Sequence, residues 1–590
     1  MNSPDGHVNV QLPAPQVLVV LCVALAYCLP GLIGHQPWKP DEGYIFAGIF
    51  HMLQSGDWVV PHLAGEAFME KPPLYHWMGM MTASLTGTFL PMHDGARLAS
   101  GVFVGIALGA TAFAGRLAWG AGSGRIAVLV MLGTLGLLNT VPLMLPDLPL
   151  LAGFAVATLG LVAHASARKW AFLALGCGVG MGFLAKGLLA PGAILIATLA
   201  LPMCFAQWRD RRYMKFLFFA GLVALPWLTI WPALLYARDS AAFVTWLWDN
   251  NIGRFLGFSV TTLGAASENG FWAKAFPWFV FPWWIFIAIC LWQTRARCLH
   301  ETGMQVGLAM ALSLSLVLVM AGSARVIYAL PMLPALALAT TGAFRQTPRQ
   351  VWSALAALGL LIAACIGVLS WFFWGALTYF GQTPDWQWIA RQVPVQFLLP
   401  ISPLNVLLAA ALSAGLVAIV WQARRLAHGQ LLVWTASLAV AWALPMVLLM
   451  PWIDTAKGYR GVYNAMAMAL PTSYSCIQSE QLGESERGIL EYTEGIRTVR
   501  KEVSPNASCP FLLRQTKTSE TQSPNVEWEL LWVGGRQSGG NERFQLYAST
   551  LLEEGRLHAD AWRRSAVAIN VFLARPENNL PYLDEVSAID

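Results

Sequence analysis

The sequence predicts an all-α, polytopic membrane protein of about thirteen transmembrane helices, followed by a soluble domain of α/β type. Three observations lead to this fold class. Hydrophobic residues make up 56% of the 590-residue chain and charged residues only 12%, whereas soluble domains carry about 25% charged residues. Apolar runs of helical length recur between residues 16 and 451. From about Trp452 the composition becomes polar, with strand-like pieces such as VEWELLWVGG and AVAINVFLA.

The predicted spans are long enough, or nearly so, to cross the hydrocarbon core of a bilayer. The first should remain as a transmembrane helix, because no small-residue cleavage site follows it. We therefore divide the chain into a transmembrane domain, 1–451, and a soluble domain, 452–590. The spans are expected at 16–34, 95–114, 126–145, 149–164, 171–186, 188–206, 216–236, 276–292, 304–321, 326–342, 351–378, 401–421 and 431–451.

The basic residues of the loops predict the orientation of these spans. With the amino terminus in the cytoplasm, every inner loop is basic and each short outer turn has at most one basic residue, as the positive-inside rule requires. The net charge of +5 then reflects these loops rather than a nucleic-acid-binding surface. An odd number of spans places residues 452–590 outside, where Cys476 and Cys509 can form a disulfide.

This orientation brings charged residues from several loops and helix ends to the outer face. Placing polar groups against a bilayer costs several kcal/mol of free energy unless the groups are paired, so such groups often have a function. Their convergence on one face therefore indicates a single polar cavity, although a solvated loop and side chains that snorkel to the interface are the alternatives. The residues concerned are Asp41, Glu70, Lys71, Asp147, Lys186, Arg254 and Arg325.

The first outer loop, 35–94, contains the densest group of these charges. Asp41 and Glu42 follow Pro40, which fits the first turn of a helix lying along the membrane surface. A carboxylate there can act as a general base or orient an incoming hydroxyl. The alternative is an acid that complements the helix dipole.

The basic residues of the outer face predict an anion site. Arginine binds phosphate through two parallel hydrogen bonds, and lysine acts as a compact charge. The sequence has no GxxxxGK[ST] and no credible GxGxxG motif, so we expect a phosphate or diphosphate that does not belong to ATP or a dinucleotide. Glu70 and His93 can contribute to a divalent metal site, but an ion pair of Glu70 with Lys71 or Arg97 is the alternative that we favour.

The run PDEGYIFAGIFHMLQSGDWVVPHLAGEAFMEKPPLYHW resembles the first periplasmic loop of the aminoarabinose transferase and protein mannosyltransferase superfamily, which are membrane glycosyltransferases of the GT-C class. The resemblance continues, in the family's order, through LPDLPL, GFLAKGLLAPGA, ALPWLTIWP, WDNNIGRF and SARVIYALPMLP. It covers most of residues 15–340. Two segments depart from the aminoarabinose branch: Asn250-Asn251 replaces a frequent Glu-His, and Ser-Ala-Arg-Val-Ile-Tyr replaces Lys-Gly-Lys-Leu-Pro-x-Tyr.

The resemblance implies a role for each matching residue. Asp41 matches the catalytic carboxylate. Glu70-Lys71 matches a Glu-Lys-Pro motif in which the lysine contacts the lipid phosphate and the glutamate lies near a bound metal, with His93 near a second metal ligand. From the resemblance and the charges of the outer face together, the predicted substrate-binding residues are Glu42, Lys71, Tyr75, Asp147, Lys186, Arg254, Arg325 and Tyr328.

We therefore expect an inverting glycosyltransferase that moves a sugar from a polyprenyl-phosphate donor to a lipid or cell-envelope acceptor of the lipid A type. It would work as a monomer among the lipids of the bacterial inner membrane, on the periplasmic side, without a nucleotide cofactor or nucleic acid. A protein O-mannosyltransferase-like enzyme with a protein acceptor, a transporter or flippase for an anionic lipid, and a scaffold for the soluble domain are the alternatives. A transporter often has inverted repeats and a midplane site, and the sequence shows no repeat.

Overall fold

The computed structural model describes residues 14–263, 270–384, 386–423, 425–426, 428–517, 527–536, 542–553, 556 and 558. The chain divides into two compact units. The first, called the membrane unit, comprises Met1–Pro37, Ile45–Pro384 and Gln396–Trp452; the second, called the sheet unit, comprises Trp38–Tyr44, Asp385–Val395 and Ile453–Asp590. The predicted strand AVAINVFLA lies outside the described residues.

Apolar helices form most of the membrane unit. In the described part of the chain, eight helical segments are long and apolar enough to cross a membrane: Met92–Trp119, Asp147–Ala165, Arg211–Arg238, Thr302–Met320, Val326–Ala343, Arg349–Phe380, Pro403–Ala423 and Gly429–Leu448. Five apolar helices are shorter: Val17–Cys28, Ser123–Leu132, Ala171–Lys186, Leu189–Cys204 and Trp283–Gln293. These thirteen segments coincide with the thirteen predicted spans, so the helical fold class is confirmed.

Some of the shorter helices correct the predicted lengths, whereas the span expected at 171–186 is confirmed as the helix Ala171–Lys186. The span expected at 126–145 ends as a helix at Leu132, because the chain turns at Gly133 and two tryptophans hold the turn. Trp434 Nε1 donates to the Gly133 carbonyl oxygen at 2.7 Å, and Trp283 Nε1 donates to Thr134 Oγ1 at 2.8 Å. The Trp434 indole thus satisfies a backbone carbonyl at the end of the helix, as non-helical backbone among membrane helices requires, and the Trp283 indole fixes the side chain of the next residue.

Shorter elements connect these helices. The segment between the first two spans contains the helices Asp41–Ser55 and Leu74–Thr86 and an antiparallel strand pair, β1 (His62–Leu63) and β2 (Glu66–Ala67). The other short α-helices of the membrane unit are Ser240–Val244, Arg254–Leu256 and Phe271–Phe279. Its connecting 3₁₀ and π segments are Leu135–Leu137, Ala206–Trp208, Thr245–Gly253, Arg297–His300 and Phe344–Gln346. Two further segments, Val326–Met332 and Ala376–Phe380, are parts of the spans Val326–Ala343 and Arg349–Phe380.

Two helices, Asp147–Ala165 and Ala171–Lys186, form an antiparallel hairpin with a glycine contact between them. A Cβ atom added to Gly153 would lie 2.8 Å from the Gly178 carbonyl oxygen, so the backbones touch where side chains would normally separate them. Small residues permit this close approach of helices in membranes. Because one helix begins at Asp147 and the other ends at Lys186, the hairpin brings an acid and a base to the same end.

The sheet unit is built on one five-stranded mixed sheet. Its strands are β3 (Ile477–Glu480), β4 (Thr498–Arg500), β5 (Phe511–Lys517), β6 (Trp528–Gly534) and β7 (Glu542–Ser549), in the order β4-β3-β5-β7-β6. β3 runs parallel to β4 and β5, and β7 runs antiparallel to β5 and β6. The helices described in this unit are Gln387–Ala390, Arg460–Met468 and Glu484–Glu494, and Met450–Lys457 leads into it.

The core of the sheet unit packs aromatic and aliphatic side chains of the helices on the sheet. Its buried members include Tyr459, Tyr463, Ile489, Phe511 and Phe544. The predicted disulfide between Cys476 and Cys509 is present, with the two Cα atoms 5.1 Å apart. The small sheet domain expected after the last span is thus found, and the contacts also assign Trp38–Tyr44 to it.

Candidate functional site

Glu70 connects two basic residues that lie far apart in the sequence. Lys71 Nζ donates to Glu70 Oε1 at 2.9 Å, and Arg254 Nη1 donates to the same oxygen at 2.6 Å. Lys71 is followed by Pro72 and Pro73 before the helix Leu74–Thr86, so the chain has little freedom there. The result is a pair of cations fixed by one carboxylate.

The positive charges of Lys71 and Arg254 determine the ionisation of Glu70. Burial alone would raise the pKa of its carboxyl group, but the positive charges and hydrogen bonds of Lys71 and Arg254 outweigh burial and hold the pKa well below its usual value of 4.5. Glu70 is therefore a carboxylate at physiological pH and not a proton donor. In the structure it holds the two cations by hydrogen bonds.

A second charged group lies at the end of the glycine-packed hairpin. Lys186 Nζ donates to Asp147 Oδ1 at 2.5 Å, and the same nitrogen lies 3.5 Å from the ring centroid of Tyr328. The side chains of Lys186 and Asp147 are only 6% and 5% exposed. Lysine is thus held between a carboxylate and an aromatic face, a cation–π arrangement that is strongest where water is excluded.

The group of Glu70, Lys71 and Arg254 and the group of Asp147, Lys186 and Tyr328 both contribute residues to one cavity of about 410 Å³ in the membrane unit. Its polar lining is formed by Glu70, Lys71, Lys186, Arg254 and Tyr328, together with Asn250, Asn251 and Ser323. Its apolar lining comes from Leu188, Leu189, Ile196, Ile252, Phe255, Leu256 and Val317. Leu188 and Leu256 are exposed, at 45% and 67%, so the apolar part reaches the surface that lipid chains can contact. The cavity therefore combines a cationic region with an apolar one.

Asn251 fixes the turn that follows Lys186. Its Oδ1 accepts a hydrogen bond from the Leu188 backbone N–H at 3.1 Å, and its Nδ2 donates to the Trp246 carbonyl oxygen at 2.8 Å. Gly187 has φ +70°, and a Cβ atom there would lie only 1.9 Å from Asn251 Oδ1. In the sequence, Asn250-Asn251 was notable only because it replaces the frequent Glu-His of the aminoarabinose branch. In the structure, the Asn251 side chain holds the turn at Gly187. The glycine directly after Lys186 is the sequence feature that could have indicated a tight turn at this position.

Asp41 and Glu42 begin the helix Asp41–Ser55, so the predicted helix start is confirmed. Asp41 Oδ1 accepts a hydrogen bond from the Tyr44 hydroxyl at 2.8 Å. Glu42 is 1% exposed, and its Oε2 accepts from the Trp38 backbone N–H at 2.9 Å. Both residues belong to the sheet unit, and their functional assignments stay predictions.

Tyr75 and Arg325 are not among the residues that line the cavity. Tyr75 is 1% exposed, and its hydroxyl lies 2.6 Å from Ser100 Oγ, which itself donates to the Leu143 carbonyl oxygen. Arg325 precedes the segment Val326–Met332, and its carbonyl oxygen accepts from the Tyr328 backbone N–H at 3.0 Å. The substrate-binding assignments of Tyr75 and Arg325 stay predictions.

The residues predicted for a divalent metal do not fit such a site. Glu70 Oε1 already accepts from two cations, and His93 packs edge-on against Phe46 with its Nε2 3.8 Å from Asp94 Oδ1. Within the described ranges, no three His, Cys, Asp or Glu side chains come together as a metal site would require. The favoured alternative, an ion pair of Glu70 with Lys71, is present. Arg97 instead donates to Asp94 Oδ1 at 2.7 Å.

No family model matches the chain. Among curated proteins it is similar to the undecaprenyl phosphate-alpha-4-amino-4-deoxy-L-arabinose arabinosyl transferase of Pseudomonas paraeruginosa, with 29% identity over 248 residues, 41% of this chain and 44% of the relative. The protein of that name from Serratia proteamaculans is 30% identical over 250 residues, 40% of this chain and 43% of the relative. The match thus spans less than half the length of these relatives.

Solved structures extend the similarity to most of the chain. ArnT from Cupriavidus metallidurans bound to undecaprenyl phosphate superposes with a TM-score of 0.64 over 90% of this chain and 97% of that protein, at 15% identity. Its apo state gives the same TM-score at 17% identity. The predicted resemblance is confirmed: the chain has the fold of ArnT and, over two fifths of its length, is homologous to proteins named as aminoarabinose transferases.

Proposed function

We propose that this protein is an integral-membrane glycosyltransferase that moves a sugar from a polyprenyl-phosphate donor to a lipid or cell-envelope acceptor of the lipid A type. The reaction would take place on the periplasmic face of the bacterial inner membrane. The observation that carries this proposal is the cavity in which Lys71, Lys186 and Arg254 adjoin an apolar lining. The names of the sequence relatives and the fold support it.

The cavity fits both parts of a prenyl phosphate. The three cations exceed the two carboxylates, Glu70 and Asp147, that hold them, so an anion is favoured over a cation. The arginine can bind phosphate oxygens through two parallel hydrogen bonds. The apolar side chains of the lining offer the isoprenoid tail an apolar surface. A nucleotide donor would leave this apolar part of the cavity unused.

The reaction follows from this arrangement as a displacement at the anomeric carbon. The bond between that carbon and the phosphate oxygen breaks, and its electron pair stays on the prenyl phosphate. Cations that are already in place stabilise the negative charge as it develops, at no reorganisation cost. The acceptor oxygen attacks from the opposite face, so the configuration inverts. The Asp41 carboxylate takes the acceptor's proton as general base.

The proposal is tested by sugar transfer with purified protein in lipid nanodiscs. A panel of radiolabelled undecaprenyl-phosphate sugars, including aminoarabinose and neutral hexoses, is offered with lipid A and with peptide acceptors. We compare wild type with Asp41→Asn and with Asp210→Asn. Asp210 is a matched control because its carboxylate caps the helix Arg211–Arg238, where asparagine caps equally well.

We expect transfer by wild type and by Asp210→Asn, and loss of transfer in Asp41→Asn with unchanged binding of undecaprenyl phosphate. Label in the peptide instead of the lipid would identify a protein acceptor. The enzyme proposal is overturned if no donor of the panel is consumed while undecaprenyl phosphate binds and crosses the bilayer in a protein-dependent way. That outcome would identify a lipid transporter.

A further inference from the structure

We propose that the sheet unit positions the catalytic carboxylate of Asp41, and that Lys39 is the principal positioning residue, through ion pairs with Glu486 and Glu542. The inference rests on the proposed function and deepens it, because it assigns the soluble part of the chain a function in the same reaction. Its basis is a set of contacts that the segment Trp38–Tyr44 makes within the sheet unit.

Contacts on the amino-terminal side of Asp41 hold three successive residues. Trp38 Nε1 donates to Asp454 Oδ1 at 2.8 Å, and Lys457 Nζ lies 4.6 Å from the centroid of the Trp38 ring. Lys39 Nζ donates to Glu542 Oε1 at 2.8 Å and also to Glu486 Oε1. Ser485 Oγ donates to the Pro40 carbonyl oxygen.

A contact on the other side of Asp41 depends on a glycine. A Cβ atom added to Gly43 would lie 2.7 Å from Ser485 Cβ and 3.0 Å from Ile489 Cδ1. Any larger residue would therefore push the start of the helix away from Glu484–Glu494. Asp41 thus lies between Pro40 and Gly43, both of which contact the same helix of the sheet unit.

The two carboxylates that hold Lys39 are part of a buried network. The Glu486 side chain is 1% exposed and that of Glu542 is 11% exposed. Gln515 Nε2 donates to both of them, at 3.1 and 2.7 Å, and Arg536 pairs with Glu542 at 3.0 Å. Because buried charges depend on their partners, removing the ammonium group would weaken the network that fixes the segment.

Anchoring of the backbone on both sides is more important for a segment that carries a general base than for an ordinary surface loop. The rate at which a catalytic base removes a proton depends on its position, and a displacement of about 1 Å can cost about 100-fold in rate. Anchoring the residues on both sides of Asp41 restricts its backbone, while its side chain is oriented by Tyr44. A merely structural contact would stabilise the sheet unit without affecting turnover selectively.

The test compares Lys39→Met with Lys39→Arg and with Lys501→Met. Lys501 is the matched control because it pairs with Glu480 at 3.0 Å elsewhere in the sheet unit. For each protein in nanodiscs we measure kcat for sugar transfer, the dissociation constant of undecaprenyl phosphate, and amide hydrogen exchange of the peptide that contains residues 38–44. Trp38→Phe, which removes the hydrogen bond to Asp454 and reduces the ring beside Lys457, serves if Lys39→Met does not fold.

We expect kcat to fall at least tenfold in Lys39→Met, with the dissociation constant unchanged within twofold and with faster exchange at residues 38–44. Lys39→Arg should restore most of kcat, and Lys501→Met should match wild type. Unchanged kcat in Lys39→Met, or an equal loss in Lys501→Met, overturns the proposal. If wild type transfers no sugar, the proposed function fails, whereas the exchange data still decide whether Lys39 anchors the segment.

Discussion

Arg254 Nη1 lies 2.6 Å from Glu70 Oε1, although 184 residues separate the two in the sequence. The carboxylate also accepts from Lys71, so one acid organises two cations before any phosphate arrives. Such preorganisation is what makes electrostatic stabilisation effective in a site from which water is excluded. Four predictions follow from the two charged groups of the cavity.

Replacing Glu70 with glutamine should lower the stability of the protein when no lipid is bound. The change leaves Lys71 and Arg254, whose side chains are 9% and 14% exposed, without their negative partner, at a cost of about 1–3 kcal/mol. Undecaprenyl phosphate should restore part of the loss, because its phosphate supplies negative charge. Thermal unfolding with and without the lipid measures both effects. Glu301→Gln, at an exposed position, should unfold as wild type does.

The same carboxylate should produce a pH dependence of stability. Because the pKa of Glu70 is lower in the folded protein than its usual value of 4.5, its stabilisation is fully present above pH 4.5 and is lost as the pH falls further. We therefore expect the midpoint of thermal unfolding to drop between pH 5 and pH 3 more steeply in wild type than in Glu70→Gln. Equal slopes for the two proteins would contradict the lowered pKa.

Lys186→Met should weaken the binding of undecaprenyl phosphate about tenfold, which corresponds to about 1.4 kcal/mol. The methionine keeps most of the apolar volume, but it removes one of the three positive charges of the cavity and leaves Asp147 without this partner. Fluorescence or calorimetric titration with the lipid in nanodiscs gives the dissociation constant. Lys169→Met, at an exposed lysine of the loop before the second helix of the hairpin, should leave it unchanged.

Gly187→Ala should lower both stability and donor affinity. The new methyl group would collide with Asn251 Oδ1, and the backbone at φ +70° is unfavourable for alanine. The turn after Lys186 must then move, which displaces its ammonium group. Gly221→Ala is the control, because nothing lies within 4 Å of that Cβ position and alanine favours a helix. If Gly187→Ala binds undecaprenyl phosphate as tightly as wild type, the turn at Gly187 does not determine the position of the Lys186 ammonium group.

Local sequence patterns predicted much of the fold and some of the site. Apolar runs indicated all thirteen helical segments because burial in a bilayer imposes composition on each segment independently. Pro40 before Asp41 indicated the helix start correctly. The predicted lengths failed at places such as Gly133, where distant indole groups of Trp283 and Trp434 stabilise a break that the local sequence does not show.

The partners of the charged residues could not be predicted in the same way. Charge and orientation indicated that Asp147 and Lys186 lie on one face, but their pairing depends on how two helices pack. The connection of Lys39 with Glu486 and Glu542 spans more than 400 residues of chain and has no local signal at all. The periplasmic orientation of these groups stays a prediction from the distribution of basic loops.

The glycine contact within the hairpin has a consequence for anyone who engineers this protein. Gly153 lies six residues after Asp147, roughly 9 Å along the helix, and no ligand needs to touch it. A methyl group there would force the two backbones apart and so widen the gap between Asp147 and Lys186. The spacing of two charges can therefore be changed from a distance, by a substitution that alters neither of them.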